Sequence, residues 1–541
     1  MHSDGWNFAD VWDTAAAVIP QQICQIQGER KYNWQQFERR ASGLARALLD
    51  AGLGEQSKVA QYLYNCPEYL ESVYASFKAG LVPVNTNYRY EDRELLYLWD
   101  NSDTEAIVFH GTFSDRLERL RKELDRIKLF IWVDDGSGDR PSWALDYEDL
   151  ACSVSDDDHG LAPWGRSGDH IYMLYTGGTT GMPKGVMWRQ DDLYRVFALS
   201  TGGDPGEPDL AIVAKRLSSA PGPVGLPACP LMHGTGAITA FQILNLGGCI
   251  VTLKSRSFDP IELLDTIERE KVNSVSIVGD AFAKPILDAL DANPGRWDLS
   301  SLKVMISSGV MWSQKTKKGL LAHHRGMLLV DAFSSSEALG MGQSVSAGGR
   351  AENTAKFQLG ERARVIREDG TDVEPGSGEI GMVALRGPNP IGYYKDPEKT
   401  ARTFRQIGGE RYVIPGDFAT VEADGTIKLL GRGSVCINTG GEKVFPEEVE
   451  EVLKEHPAVQ DAVAVGVPND RFGEVVAAVV ELRPGAEVSP DELISYAKSN
   501  IASYKAPKHV VFVDSVGRAP SGKVDYASAR KIAIERLGAV N

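Results

Sequence analysis

Apolar and polar positions alternate along the chain in blocks that predict strands followed by helices. In residues 34–51 the apolar side chains recur every three or four positions, which predicts a helix with Asn33 as N-cap and Gly52 or Gly54 as its stop. Short apolar runs predict strands at 59–64, 81–84, 105–110, 171–175, 273–278, 303–307 and 327–333, with helices at 67–79 and 91–101. This alternation indicates an α/β fold in which parallel sheets are covered by helices.

The pattern changes in the last third of the chain. Short strands and glycine-rich turns between about 355 and 430 predict a small antiparallel β subdomain. A helix at 446–456, strands at 458–467, 475–482 and 509–514, and a capping box starting at Ser489 then predict an α+β domain. We therefore expect a large N-terminal domain over 1–432 and a smaller C-terminal domain over 433–541. Residues 202–230, rich in glycine and proline, are predicted to be an irregular loop over a site.

Length, net charge, apolar runs and cysteine spacing limit the class of protein that this sequence can encode. The chain has 541 residues, which is more than one ordinary core holds, and a net charge of −16, which disfavours general binding to nucleic acid. No apolar run reaches transmembrane length, and residues 1–13 lack a signal-peptide pattern. Six cysteines without close spacing indicate reduced thiols and predict a cytoplasmic protein.

One segment suggests nucleotide chemistry. Residues 176–185 contain four glycines, three threonines and Lys184, directly after the predicted strand 171–175. Glycines let backbone N–H groups approach a ligand closely, threonines add hydroxyl donors, and lysine adds a positive charge, a combination that suits a polyphosphate. The segment is not a Walker A loop, because Gly185 follows the lysine where that motif needs Ser or Thr. The alternative from this segment alone is a flexible surface loop.

Other chemically capable residues each have an ordinary structural alternative. Taken alone, His233 fits an ordinary core histidine, and Glu337 fits the first turn of a helix. The carboxylate of Asp417 can accept from two hydroxyls of one ligand, but it also suits a surface turn. Lys523, after Ser521 and Gly522, fits a solvated turn.

The order of these motifs resembles the adenylate-forming superfamily, which includes acyl-CoA synthetases, peptide adenylation domains and firefly-type luciferases. The matching segments are 176–185, 230–234, 307–310, 331–337, 415–417, 431–434, 440–443 and 520–523. Segments 185–189, 431–438 and 440–444 are most similar to bacterial acyl-CoA ligases for fatty acids or steroid side chains. The match departs from the family pattern in 331–337, where Phe333 replaces Tyr, Ser334 replaces Gly and Ser336 replaces Thr.

The resemblance implies a role for each matching residue. The implied catalytic residues are Lys523, Glu337, His233 and Thr176, with Glu337 also holding Mg²⁺ and Ser434 acting as the hinge of a mobile C-terminal domain. The implied ATP contacts are Thr176, Gly177, Gly178, Thr179, Thr180, Gly181, Lys184, Ser308, Gly309, Val310, Asp331, Ala332, Phe333, Ser336, Asp417 and Arg432. The implied CoA contacts are Gly440, Gly441 and Glu442, and the implied acyl pocket is formed by His233, Gly234, Gly236 and Val310.

The implied activity is that of a ligase in two steps, in which a carboxylic acid and ATP form an acyl-AMP that CoA then converts to a thioester. Three alternatives stay open: an acyl-AMP ligase that loads a carrier protein, a luciferase-type oxygenase, and a catalytically silent nucleotide-binding protein. The small residues of 234–240 predict room for a large apolar acid, or else close packing of a helix. The resemblance leaves the oligomeric state open, with a homodimer among the options.

Overall fold

The computed structural model describes residues 5–153, 160–176, 182–200, 203, 205–310, 312–439, 442–469, 473–501, 503–518 and 524–538. The α-helices are Phe8–Val18, Trp34–Asp50, Pro67–Lys78, Asp92–Asn101, Ser114–Leu120, Tyr147–Ala151, Gln190–Ser200, Leu210–Ser219, Gly234–Asn245, Pro260–Glu270, Asp280–Ala292, Gln314–His323, Pro397–Thr403, Pro446–Glu455, Pro490–Asn500 and Tyr526–Gly538. In this part of the chain no helix is both long and apolar enough to cross a membrane.

Three sheets organise these helices. The first sheet runs, in spatial order, through Arg30–Asn33, Ile23–Gln27, Cys249–Val251, Val224–Pro227, Ser274–Ile277, Val304–Ser308, Leu328–Phe333, Gly342–Ser346, Lys356–Leu359, Ile427–Arg432, Asp417–Val421, Ile380–Arg386, Glu410–Val413 and Phe404–Ile407, with Ala363–Ile366 beside Ile380–Arg386. The pairs from Ile23–Gln27 to Leu328–Phe333 are parallel, and those beyond are antiparallel. The antiparallel region predicted at about 355–430 is therefore confirmed. It continues the parallel part of the first sheet.

The second and third sheets complete the fold. The second runs through Gly392–Tyr393, Lys184–Arg189, Ile171–Thr176, Val82–Asn85, Lys58–Tyr62, Thr104–His110, Leu129–Val133 and Leu145–Asp146. The third runs through Glu442–Val444, Ile437–Thr439, Gly473–Leu482 and Val459–Asn469, with His509–Val513 beside Gly473–Leu482. The 3₁₀ turn Gly433–Val435 joins the first sheet to the third. The predicted α/β class with a smaller α+β region at the C-terminal end is confirmed.

Local sequence signals account for several element boundaries. The helix Trp34–Asp50 begins with a reciprocal capping box, in which Asn33 Oδ1 accepts from Gln36 N and Gln36 Oε1 accepts from Asn33 N. Gly52 follows the helix with a φ of 78°, a conformation that glycine adopts at low cost. The Ser489 hydroxyl likewise accepts from Glu492 N at the start of Pro490–Asn500.

The prediction of an irregular loop over 202–230 is wrong. The helix Leu210–Ser219 lies there, with Asp209 accepting from Ala211 N and Ile212 N as its N-cap. The strand Val224–Pro227 follows and lies inside the first sheet, between two parallel neighbours. Its glycine packs closely against a neighbouring helix, because a Cβ at Gly225 would lie 2.0 Å from the side-chain end of Ile243, at Cδ1. The high glycine and proline content of residues 202–230, taken as a whole, hides both the N-cap Asp209 and this short buried strand.

Candidate functional site

A buried asparagine joins two of the predicted site segments. The Asn85 side chain donates from Nδ2 to the carbonyl oxygens of Tyr175, at 2.9 Å, and Met232, at 2.7 Å. Its Oδ1 accepts from Tyr175 N at 2.6 Å. The end of the strand Ile171–Thr176, where the glycine-rich segment begins, is therefore fixed beside the residue that precedes His233.

His233 lies at the first position before a helix. It is the half-buried N-cap residue of Gly234–Asn245. The loop leading to it is held by Asn65, whose Nδ2 donates to Cys229 O at 3.1 Å and whose Oδ1 accepts from Leu231 N at 2.7 Å. Sequence reasoning missed both asparagines; the available signal was a polar residue at or just after the end of an apolar strand.

Two glycines follow His233 and play different parts. A Cβ added to Gly234 would lie 3.1 Å from Leu174 Cδ2 and 3.7 Å from Ser336 Oγ, so three predicted segments meet at this point. A Cβ at Gly236 would lie 2.4 Å from Pro230 O. For the buried Gly236 the structure therefore supports close helix packing, the alternative to a pocket-lining role.

The segment that ends in Glu337 is anchored from two sides. The Trp188 indole donates to Ser336 O at 2.9 Å, and the Tyr393 hydroxyl donates to Glu337 Oε1 at 2.7 Å. Glu337 is 7% exposed, so this hydrogen bond fixes the orientation of a largely buried carboxylate. The backbone at Ser334 does not require glycine, since Ser334 is not one of the described non-glycine residues with a positive φ. The Ser334 hydroxyl accepts a hydrogen bond from Gly340 N.

The predicted adenine-binding segments lie on neighbouring parallel strands. Ser308 pairs with Ala332 at the carboxyl ends of Val304–Ser308 and Leu328–Phe333. Gly309 follows with a φ of 93°, which disfavours a side chain at this turn. The Phe333 ring is 7% exposed and packs on Phe357 with a centroid distance of 5.5 Å. Val310 packs at the edge of the core cluster behind the sheet.

Asp331 lies on the core side of its strand. Its carboxylate is 4.0 Å from Nζ of Lys317, and both residues are buried. Burial raises the pKa of Asp331 to about 7 and lowers the pKa of Lys317. The Asp331 side chain faces the helix Gln314–His323, and its predicted ATP contact stays a prediction.

Two further predicted ATP contacts, Lys184 and Asp417, lie close to other residues of the protein. Lys184 lies opposite Thr176 across an antiparallel pair and forms a salt bridge with Asp396. The Lys184 hydrogen bond lowers the pKa of Asp396. The buried Asp417 starts the strand Asp417–Val421, directly opposite Arg432 on the neighbouring strand. The predicted ATP contacts Asp417 and Arg432 are thus adjacent in the sheet.

A cavity of about 610 Å³ lies along the helix that His233 starts. It lies between part of one face of this helix and the sheet strands Ser274–Ile277 and Val304–Ser308. Its lining residues are Pro223, Thr239, Gln242, Ile243, Leu246, Lys271, Asn273, Ser274, Ser301, Lys303, Val304 and Ile306. None of the predicted acyl-pocket residues is among them. The sequence could have suggested the helix face but not the gap opposite it.

Comparison with known proteins identifies the family. A family model described as AMP-binding enzyme matches residues 12–394, and one described as AMP-binding enzyme C-terminal domain matches residues 448–523. The chain belongs to the AMP-binding enzyme family.

Relatives of this AMP-binding enzyme share about two fifths of its residues. A Mycobacterium tuberculosis protein named medium/long-chain-fatty-acid–CoA/3-oxocholest-4-en-26-oate–CoA ligase is 41% identical, covering 97% of this chain and 96% of that protein. The 3-oxocholest-4-en-26-oate–CoA ligase of Rhodococcus rhodochrous is 42% identical, over 97% and 95%. The medium-chain acyl-CoA ligase Mig of Mycobacterium avium is 40% identical, over 96% of each chain.

Solved structures share the fold of this AMP-binding enzyme. The anthranilate CoA ligase AuaEII in complex with anthranoyl-AMP has a TM-score of 0.82 at 22% identity, over 99% of this chain and 98% of that one. ATP-bound MatB from Rhodopseudomonas palustris has a TM-score of 0.77 at 23% identity, over 97% and 99%. The large α/β part and the smaller C-terminal part are therefore those of known adenylate-forming folds.

Several predicted site residues of this AMP-binding enzyme lie outside the described residues. They are Gly177, Gly178, Thr179, Thr180, Gly181, Gly440, Gly441 and Lys523. The side chains of Arg432, Ser434 and Glu442 are also outside the description. The backbone places Ser434 within the turn Gly433–Val435, at the connection where the hinge is predicted.

Proposed function

We propose that this AMP-binding enzyme is an ATP-dependent acyl-CoA ligase for a large apolar carboxylic acid, either a medium- to long-chain fatty acid or a steroid side-chain acid. The observation that carries the proposal is the 41–42% identity, over 97% of the chain, to ligases named for these acids. ATP, Mg²⁺ and CoA are the implied co-substrates and metal.

In the first step the substrate carboxylate attacks the α-phosphorus of ATP and pyrophosphate leaves. Such phosphoryl transfer depends on positioning and charge neutralisation more than on covalent help from the protein. We assign these tasks to Lys523, the backbone N–H groups of 177–181 and the Ser336 hydroxyl. Asn85 and Asn65 position the adjoining strand end and the loop before His233.

Glu337 suits a cation whose remaining ligands come from phosphates and water. Its carboxylate is oriented by Tyr393, and carboxylate oxygen is a ligand that Mg²⁺ prefers. Among the described residues no group of three or more His, Cys, Asp and Glu side chains is arranged to hold a metal by itself. When bound, Mg²⁺ would neutralise phosphate charge.

In the second step the CoA thiol attacks the acyl carbon, the thioester forms and AMP leaves. We propose that the C-terminal domain, 433–541, turns at Ser434 between the two steps. It would present Lys523 in the first and the segment 440–442 in the second. The short connection Gly433–Val435 between the first and third sheets supports this assignment.

The cavity beside the helix Gly234–Asn245 supports a large apolar substrate. Its volume of about 610 Å³ lies within the usual range of small-molecule sites, and Ile243, Val304 and Ile306 give it an apolar wall. Each buried methylene adds about 0.8 kcal/mol to binding, so activity should rise steeply with chain length until the cavity is full.

ATP–pyrophosphate exchange tests the first step with acetate, octanoate, palmitate and a steroid side-chain acid. Thioester formation with CoA tests the second. We expect exchange and thioester with the larger acids. A highest kcat/KM on acetate or on an amino acid would refute the substrate class, and exchange without thioester would favour a carrier-protein acceptor.

We further propose a cytoplasmic location. All six cysteines lie in the described part of the chain and none forms a disulfide. Free thiols are typical of a reducing compartment. A homodimer stays a prediction, which light scattering on the purified chain tests.

A further inference from the structure

One short segment, residues 392–400, contacts both a predicted ATP-binding lysine and the predicted Mg²⁺ ligand. The Tyr393 hydroxyl donates to Glu337 Oε1 at 2.7 Å, and the Asp396 carboxylate pairs with the Lys184 ammonium. Glu337 and Lys184 are far apart in the sequence. The segment therefore connects two separate parts of the predicted site.

The segment is hydrogen-bonded to the strand Lys184–Arg189, which follows the glycine-rich residues. Its first two residues, Gly392–Tyr393, form an antiparallel pair with this strand. Tyr394 N donates to Gly185 O at 2.8 Å and continues the pairing toward Lys184. The backbone of the segment is therefore held at the end of the strand that carries Lys184.

Hydrogen bonds within the segment link Tyr393 to Asp396. Tyr393 N donates to Thr400 Oγ1 at 2.9 Å, and the same hydroxyl donates to Asp396 O at 2.8 Å. Asp396 Oδ1 accepts from Lys399 N at 2.9 Å, as the N-cap of the following helix. A Cβ added to Gly392 would lie 2.5 Å from Thr400 Cγ2, so the segment is closely packed. The positions of the Tyr393 ring and the Asp396 carboxylate are thus set together.

A further contact holds the segment from outside. The Tyr394 hydroxyl donates to Asp103 Oδ2 at 2.7 Å, and Lys395 Nζ lies 2.8 Å from the same oxygen. The backbone of Lys395 has a φ of 54°, a conformation that is uncommon for residues other than glycine. These contacts favour a single conformation of the segment.

The ion pair limits the freedom of the Lys184 side chain. The side chains of Lys184 and Asp396 are 34% and 23% exposed, and the hydrogen bond from Lys184 lowers the pKa of Asp396. Asp396 therefore stays ionised at neutral pH. A lysine side chain loses rotamer entropy when it is ordered, and an ammonium that the protein already holds in place loses less of it when a ligand binds.

We propose that Asp396 is a positioning residue for adenylation, which holds Lys184 beside the phosphate-binding segment while Tyr393 of the same segment holds Glu337. The inference rests on the proposed acyl-CoA ligase function. Asp396 acts through Lys184 and not by contact with ATP. Because Mg²⁺ binds the phosphates of ATP, the lysine and the metal-binding carboxylate need a fixed spacing, which residues 392–400 supply.

Pyrophosphate exchange tests this role through the KM for ATP and the kcat of the wild type, Asp396→Asn, Asp396→Glu, Lys184→Met and Asp396→Asn/Lys184→Met. We expect Asp396→Asn to raise the KM for ATP roughly three- to fivefold, the size of one partly exposed ion pair, with partial recovery in Asp396→Glu. In the Lys184→Met background the same change should have no further effect. Glu398→Gln, which alters an exposed carboxylate in the first turn of the same helix, is the matched control.

Thermal unfolding separates positioning from stability. Asparagine keeps the N-cap oxygen, so the unfolding temperature of Asp396→Asn should change little. If it falls, Asp396→Ser, which also keeps an N-cap oxygen without the charge, takes its place in the test.

The double variant Asp396→Asn/Tyr393→Phe tests the link to Glu337. Since one segment positions both side chains, its loss of kcat/KM for ATP should be smaller than the product of the two separate losses. Losses that multiply would make the two contacts independent and would overturn the shared role of the segment.

The remaining outcomes separate this inference from the proposed function. An unchanged KM for ATP in Asp396→Asn, or the same loss in the Lys184→Met background, would overturn the inference alone. A lower KM would show that Asp396 competes with phosphate for Lys184, and would also overturn it. Absence of exchange in the wild type with every acid tested would overturn the proposed function, and this inference with it.

Discussion

At the scale of single residues, the site depends on polar side chains that position backbone. Asn85 satisfies three buried backbone groups on two different segments, and it is itself 4% exposed. Buried polar groups that lose their partner cost about 1–3 kcal/mol. The residues that touch substrate are therefore only part of what the chemistry requires.

Replacing Asn85 by alanine should reduce both stability and adenylation. The change leaves buried carbonyl and N–H groups of Tyr175 and Met232 without partners, so we expect a loss of roughly 2 kcal/mol or more in unfolding free energy. Urea unfolding and pyrophosphate exchange measure the two effects. Asn500→Ala, which removes one exposed hydrogen bond to Tyr496 O, is the control. Wild-type exchange by Asn85→Ala would show that the bracing is dispensable.

Glu337→Gln should raise the Mg²⁺ concentration needed for half-maximal pyrophosphate exchange and lower the maximal rate. The amide keeps the size of the side chain but removes the anionic ligand that a hard cation prefers. Thermal unfolding should change little, since the carbonyl oxygen of glutamine still accepts from Tyr393. Tyr393→Phe, which removes only the orienting hydroxyl, should give a smaller effect. Wild-type turnover of Glu337→Gln at limiting Mg²⁺ would make Glu337 a structural residue.

At the scale of elements, the helix Gly234–Asn245 serves two purposes. Its first residues meet the predicted site segments, and its later residues line the cavity together with strand residues such as Val304 and Ile306. The strand face that borders this cavity is only half-buried. The position of the helix relative to the sheet therefore sets the volume of the cavity in which we propose that the acid binds.

Val304→Phe should shift the chain-length preference toward shorter acids. The larger ring would occupy cavity volume, so palmitate should lose more kcat/KM than octanoate, by roughly fourfold for each methylene displaced. The control is Leu328→Phe, on the neighbouring strand directly opposite Val304 and not part of the lining. Kinetics over a series of fatty acids measure the shift. Equal losses for all acids would place the acyl chain elsewhere.

At the scale of the whole molecule, polar contacts among the described residues join the first sheet and its helices to the third sheet and its helices. Lys284 Nζ donates to Gln460 O at 3.0 Å, and Lys428 pairs with Glu448 at 3.3 Å. A single hydrogen bond or ion pair at a surface contributes roughly 0.5–1.5 kcal/mol. Such an interface is compatible with the proposed turn of the C-terminal domain at Ser434.

Lys523→Ala should separate the two half-reactions. The lysine is proposed to act only when acyl-AMP forms, so pyrophosphate exchange should fall by an amount equivalent to roughly 3–4 kcal/mol, the size of an oxyanion-hole deletion. Thioester formation from supplied acyl-AMP should be largely retained. Lys508→Ala, a lysine elsewhere in the same domain, is the control. Equal losses in both half-reactions would contradict the domain turn.

Sequence by itself determined the class of fold, many element boundaries and the family. The N-cap at Asn33, several parallel strands of the first and second sheets and the order of motifs from 176 to 523 depend on local pattern, which short-range physics preserves. The strand Val224–Pro227 escaped detection because its glycine and proline oppose local strand preference, and its place in the sheet depends on pairing with the strands Cys249–Val251 and Ser274–Ile277.

Only the tertiary structure decided how distant segments meet. The bracing by Asn65 and Asn85 and the cavity beside the helix Gly234–Asn245 arise from contacts between residues far apart in the chain. A cavity is the space that side chains from several elements leave unfilled, so no single stretch of sequence encodes it. A sequence motif can indicate the chemistry of a site. The volume of the site and the residues that hold its side chains in position follow from the way helices and sheets pack.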